Sequence, residues 1–451
     1  MDWRLRTQVA RRAGGHAGVP AGVRGGRPLR TGRSSQLLVR LGVPAELFDD
    51  RRRGSGYEPS LDGLRAVAIL AVIGYHVGHL PGGYFGVDVF FVISGYLITR
   101  LLRRERERNG SVSLARFYAR RALRLLPALF VVVAACVAVA AVVLPAPQAA
   151  AVRDSVPSVL TYTANFRAVD PARMPLLAHT WSLSMEEQFY LVWPLPFVWL
   201  SRRVAPRRVA AGLLALALAS TTWCGILLAR GASFARLSDL PDTHATSLLV
   251  GCSLALLIPA GTGWRPSPRL ARWIRRAAVP AVLLLVLAFR VQLDGGAFPY
   301  EGGFLVVALL TAVVVADQAS AAPSGVATVL RHPVAVLIGR WSYTLYLVHL
   351  PIVQLLSRTD LPATEQLVLD LVLSFAAAAA VSLGIEQPAL RLKRRLSASP
   401  EPSPPGAAGV GLATAGALPV PVGGTPDLRP AARMSGDGHD GPDPPPAPPS
   451  A

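Results

Sequence analysis

Ten apolar stretches recur along the chain, near residues 62–80, 84–102, 124–145, 184–200, 209–229, 244–260, 277–292, 303–319, 336–356 and 365–386. A helix of about 20 apolar residues crosses a bilayer core, and lipid offers no partner for an unpaired backbone amide or carbonyl. The chain is therefore expected to be all-α, a polytopic membrane helix bundle of about ten transmembrane helices. Several stretches are short, which tilted neighbours or a thinner local bilayer accommodate. Composition points the same way: 52% of residues are hydrophobic and 16% charged, with a mean hydropathy of +0.41. A soluble enzyme is excluded.

The net charge of +19 comes almost wholly from arginine, Lys393 being the one lysine. A basic chain with a pI near 11.1 raises nucleic acid as a partner, but the arginines cluster between apolar stretches, so no nucleic acid is expected. Nine lie from Arg100 to Arg124, four from Arg202 to Arg208 and five from Arg265 to Arg276. The alternate loops carry far fewer. Cytoplasmic loops are the ones rich in arginine, so both termini are expected in the cytoplasm and the bundle in the plasma membrane. Cys136, Cys224 and Cys252 stand singly, with no metal-ligand spacing, and no metal is expected.

Three segments are expected. Residues 1–55 are rich in Arg and Gly and read as disordered, without the apolar core of a secretory leader. Residues 56–396 hold the membrane domain. Residues 397–451 form a Pro-rich tail that cannot bury a core. Beyond Arg395 no strand–helix pattern and no nucleophile motif is read, so the membrane domain is expected to act alone or to pass its product to a separate protein.

The chemistry concentrates in residues 57–102, where two apolar stretches meet at a Gly-rich turn and carry Arg65, His76 and Asp88. Ionisable groups within lipid-buried helices are costly and mark function. Ten residues separate Arg65 from His76, so eleven helical steps bring both to one face, about 16 Å apart along the axis. A guanidinium at one end and an imidazole deep in the same face suit an anionic ligand and a proton acceptor. Arg121 and Arg124 are three apart and share a helical face, where two guanidinium forks grip phosphate. Glu186 and Tyr190 are four apart and also share a face.

Taken together these elements resemble the acyltransferase-3 family of integral membrane O-acyltransferases. Arg65-x10-His76 followed by Gly86-Val87-Asp88-Val89-Phe90-Phe91 is similar to its signature helix pair. The run Arg120-Arg121-Ala122-Leu123-Arg124 is similar to its Arg-x-x-Arg motif, and Ser184-x-Glu186-x-x-x-Tyr190 to its Ser-x-Glu-x-x-x-Tyr pattern. The resemblance covers roughly residues 57–390 and implies transfer of an acyl group, acetyl by default, from acyl-CoA to a hydroxyl of a carbohydrate, glycolipid or macrolide-like acceptor. It implies that His76 is catalytic and that Arg121 and Arg124, helped by Arg65, hold acyl-CoA. Acyl-CoA is then a co-substrate, and no permanently bound cofactor is expected. Glu186 or Asp88 would orient His76, and Ser184 or Tyr190 would stabilise the oxyanion. Ser342–Pro351 resembles a late family motif in which His349 reads as a packing residue. His244 stands where many relatives carry Arg. Two other classes fit the same residues: a proton-coupled secondary transporter using His76, Asp88 and Glu186, and a partner-binding pseudoenzyme.

Overall fold

The computed structural model describes residues 39, 41, 57–168, 170–261, 263–291 and 296–389. The expected 397–451 tail and nearly all of the expected 1–55 segment lie outside the described residues. Among the described residues the chain is helical, and its one β-bridge pairs Trp264 with Ser320. The longer helices are α1 (Pro59–His76), α2 (Gly86–Asn109), α3 (Leu114–Val143), α4 (Ala146–Leu160), α5 (Thr180–Val192), α6 (Pro194–Arg203), α7 (Pro206–Ala229), α8 (Thr246–Leu257), α9 (Pro268–Arg290), α10 (Phe304–Ala319), α11 (Pro333–Leu356) and α12 (Ala363–Val381). Proline stands in the opening turn of α1, α6, α7, α9 and α11, where its missing N–H costs nothing.

Every expected apolar stretch falls on a helix, yet among the described residues only six helical stretches are long and apolar enough to cross a membrane. The other four fail for separate reasons. The first, α1, carries Asp62 and Arg65. Pro194 divides the 184–200 stretch into α5 and α6. The 244–260 stretch is the short α8, and α9 holds five arginines. Burial explains how such elements survive. The central span, containing α2, is 83% buried, whereas those containing α7 and α12 are 22% buried and form the rim. Both α1 and α8 pack on α2, so neither needs a full lipid-facing surface.

Small residues set these contacts. A Cβ on Gly95 of α2 would overlap the carbonyl of Leu248, and one on Gly251 of α8 the carbonyl of Val92. The two backbones therefore approach closely, as small residues permit in membrane helices. A Cβ on Gly339 of α11 would likewise meet the carbonyl of Asp62 in α1.

Arginines close the end of α8. Arg103 donates to the carbonyls of Ala255 (2.6 Å) and Ile258 (2.7 Å), Arg104 to Ala260 (2.5 Å) and Arg100 to Gly261 (3.2 Å). Cations there satisfy orphan carbonyls and complement the helix dipole. These members of the 100–124 run thus hold the bundle together as well as adding charge. The 146–183 connection is largely helical, and it buries Met174, Leu176 and Leu177 in the bundle core.

Candidate active site

Four helices, α1, α2, α5 and α11, wall two adjoining chambers. The first encloses about 720 Å³ and is lined by Arg65 of α1, Ser94 of α2, Arg121 and Arg124 of α3, Glu186, Glu187 and Tyr190 of α5, and Tyr343 of α11. The second encloses about 990 Å³ and is lined by His76, Asp88, His179, Trp181, Asp239 and His244 with Tyr75, Tyr84, Tyr300 and Phe304. Val87 and Tyr346 line both. Helix α1 thus presents Arg65 to one chamber and His76 to the other, about 16 Å apart by helical rise.

In the first chamber Arg121 is held rigidly. It pairs with Glu187 at 2.9 Å, and its guanidinium lies 3.3 Å from the centroid of the Tyr190 ring. Arg124, one turn on, makes no hydrogen bond or ion pair with any described residue, so its donors are available to a ligand. Arg65 lies 3.5 Å from Asp62, whose other oxygen accepts a 2.5 Å hydrogen bond from Tyr57. Three guanidinium groups therefore converge on a space that holds two glutamates. Glu186 accepts hydrogen bonds from Ser94 (2.5 Å) and from the Tyr190 hydroxyl.

In the second chamber His76 Nδ1 lies 3.0 Å from the carbonyl oxygen of Val72 and 3.1 Å from His349 Nε2. Its Nε2 has no partner among the described residues and is not sealed from the cavity. His179 also lines this chamber, but both its ring nitrogens are buried without a hydrogen-bond partner. Asp88 accepts from Ser247 at 2.6 Å and from His244 Nε2 at 3.1 Å. His244 Nδ1 faces the carbonyl of Ser238 at 2.6 Å. With a carbonyl on one nitrogen and a carboxylate on the other, His244 is a double donor. Phe304 stacks on its ring at 3.9 Å.

The structure brings some expected groups together and separates others. Neither carboxylate expected to orient His76 touches it. Glu186 lies in the arginine chamber, bound to Ser94 and Tyr190, and Asp88 is taken up by His244 and Ser247. Ser184 reaches neither chamber: it donates to the carbonyl of Thr180 at 3.0 Å and accepts from the amide of Ala164 at 3.2 Å, pinning a short turn to α5. Tyr190 lines the arginine chamber, not the histidine chamber. Sequence reasoning did not place His349 at His76, 273 positions away, because helical periodicity carries no information about which helices meet.

Asp239 sits in a short helical segment outside the membrane helices. Burial pushes its carboxyl up to about 6 from the ordinary 3.8, with the Ser238 hydroxyl opposing. A raised folded-state value means that the unfolded chain releases this proton first. Folding stability is therefore lost as pH rises from 3.8 to about 6, and the loss is complete above that. Asp239→Asn is expected to raise stability by about 1–3 kcal/mol near neutral pH and by about nothing near pH 4. Thermal unfolding in detergent at the two pH values measures the difference.

An all-helical membrane protein with an arginine-lined chamber backing onto a histidine-lined one fits an acyl-transfer site. Residues 58–386 match the sequence family described as "Acyltransferase domain", and the chain belongs to this acyltransferase-3 family. It is similar to the peptidoglycan O-acetyltransferase OatA of Listeria monocytogenes serovar 1/2a (strain EGD-e), with 35% identity over 66% of this chain and 50% of the relative. It is also similar to the O-acetyltransferase OatA of Staphylococcus aureus (strain NCTC 8325), with 32% identity over 66% of this chain and 51% of the relative. The chain spans about half the length of the curated relatives it matches. No solved structure matches it significantly.

Proposed function

We propose that the protein is a membrane-embedded O-acyltransferase that moves an acyl group, acetyl by analogy with its relatives, from acyl-CoA to an acceptor hydroxyl. The acceptor is a carbohydrate, glycolipid or secondary metabolite. The observation that carries this reading is the meeting of two chambers at Val87 and Tyr346, one with guanidinium donors and one with an accessible imidazole nitrogen. The Arg-x-x-Arg chamber faces the cytoplasm of the plasma membrane, both termini lie on that side, and acyl-CoA enters there as a co-substrate. Its phosphates bind Arg124, with Arg121 and Arg65 beside it, and its pantetheine arm runs along α1 toward His76.

His76 then acts as general base. Its Nε2 takes the proton of the acceptor hydroxyl as the oxygen attacks the thioester carbonyl. The C–O bond forms, the C–S bond breaks, and the CoA thiolate recovers the proton from the imidazolium as free CoA. Glu186, Tyr190 and Asp88 organise the walls around this path. The test is free-CoA release from acetyl-CoA by the full chain in inside-out membrane vesicles supplied with envelope saccharides. Acceptor-dependent release, with the acetyl label recovered as a base-labile ester, supports the reading. Absence of both with every acceptor class overturns it.

A further inference from the structure

The hydrogen bonds around His349 leave little freedom in where the protons lie. His349 is fully buried in α11. Its Nδ1 lies 3.0 Å from the carbonyl oxygen of Leu345 and 2.8 Å from that of Tyr346. Carbonyl oxygens only accept, so Nδ1 carries the hydrogen, and a neutral imidazole then has a bare lone pair at Nε2. That lone pair faces His76 Nδ1 at 3.1 Å. His76 Nδ1 faces a second acceptor, the Val72 carbonyl, at 3.0 Å. Both neighbours demand a hydrogen at His76 Nδ1, and the lone pair of His76 is left at Nε2. The reverse arrangement, with His349 donating, would set the bare Nδ1 of His76 against the Val72 oxygen. It would also require a fully buried imidazolium with no carboxylate bonded to it.

We propose that His349 is the positioning residue for His76: it holds the Nδ1–H tautomer and turns the basic Nε2 toward the reacting hydroxyl. A carboxylate does this work in the familiar triad; here a second neutral imidazole does it from α11. The rings sit 5.0 Å apart at 57°, an inclination that lets the lone pair of one meet the N–H of the other. When His76 takes a proton at Nε2, the same lone pair stabilises the positive ring without neutralising it, so the proton returns readily to the leaving thiolate. The proposal rests on His76 acting as general base.

The test compares His349→Leu, His349→Asn, His349→Gln and His76→Ala in the reconstituted full chain, with folding followed by the thermal midpoint. The glutamine amide oxygen reaches the position of imidazole Nε2 and accepts from His76; the shorter asparagine and the leucine do not. His349→Leu and His349→Asn are expected to lower kcat about 100-fold with the KM for acetyl-CoA changed less than about twofold, and His349→Gln to recover at least about a tenth of wild-type kcat. The proposal is overturned if a folded His349→Leu or His349→Asn keeps wild-type kcat, or if His349→Gln is folded and no better than they are. His76→Ala separates the two levels. Full transfer without His76 sinks the general-base reading and this proposal with it. An inactive His76→Ala beside a fully active His349→Asn sinks only the positioning role.

Discussion

His76→Ala is expected to lower kcat for acceptor acetylation by about 10³-fold, within the range a general base supplies, while the KM for acetyl-CoA changes less than about threefold. The split follows from the division of the site: Arg65, Arg121 and Arg124 line the chamber at one end of α1 and His76 the chamber at the other. Three other titratable groups that line the chamber, His244, His179 and Asp88, are committed elsewhere. His244 has both nitrogens committed to Ser238 and Asp88. The nitrogens of His179 are sealed in protein. Asp88 is paired. Initial-rate measurement of CoA release over a range of acetyl-CoA concentrations checks the prediction. A variant that loses KM and keeps kcat would place His76 in binding.

The sequence made this end of the site partly legible. Spacing alone puts Arg65 and His76 on one face of one helix, and the structure sets that face against both chambers. Apolar runs located the helices, because burial in lipid or in a membrane bundle requires the same side chains. They overstated how many cross the bilayer by themselves, since α1 and α8 are apolar for the sake of packing on α2, and Gly95 and Gly251 are small for the same reason. Partners distant in sequence stayed hidden. Glu186 finds Ser94 and Tyr190, not His76, because the part of α5 that carries it lines the arginine chamber while only the start of that helix, at Trp181, lines the histidine chamber. His349 reads as a packing residue because it stands in a largely apolar run, Leu345 to Val353, and only the crossing of α1 with α11 reveals that its Nε2 meets His76. Charge counting carried a similar ambiguity. Arg100, Arg103, Arg104, Arg121 and Arg124 belong to one basic run, yet three cap α8, one is locked against Glu187 and Tyr190, and Arg124 is left available.

That last contrast gives the second large effect. Arg124→Ala is expected to raise the KM for acetyl-CoA by about 10–100-fold, the equivalent of one or two charge-assisted hydrogen bonds to phosphate. The thermal midpoint and kcat should stay near wild type, because Arg124 makes no hydrogen bond or ion pair with any described residue. Arg121→Ala also weakens binding but fails differently. It removes the cation from the Tyr190 face and leaves Glu187, bonded at 2.9 Å, without its partner in a largely buried site. Stranding one half of such a pair costs about 3–5 kcal/mol, so this variant should melt earlier and lose activity with its fold. The salt dependence of KM separates the roles further: raising ionic strength should weaken acetyl-CoA binding to the wild type more than to Arg124→Ala, since one of the screened contacts is already gone. Equal midpoints for the two variants would mean that Arg121 is free to bind phosphate as Arg124 does, and that its pairing with Glu187 yields when acyl-CoA arrives.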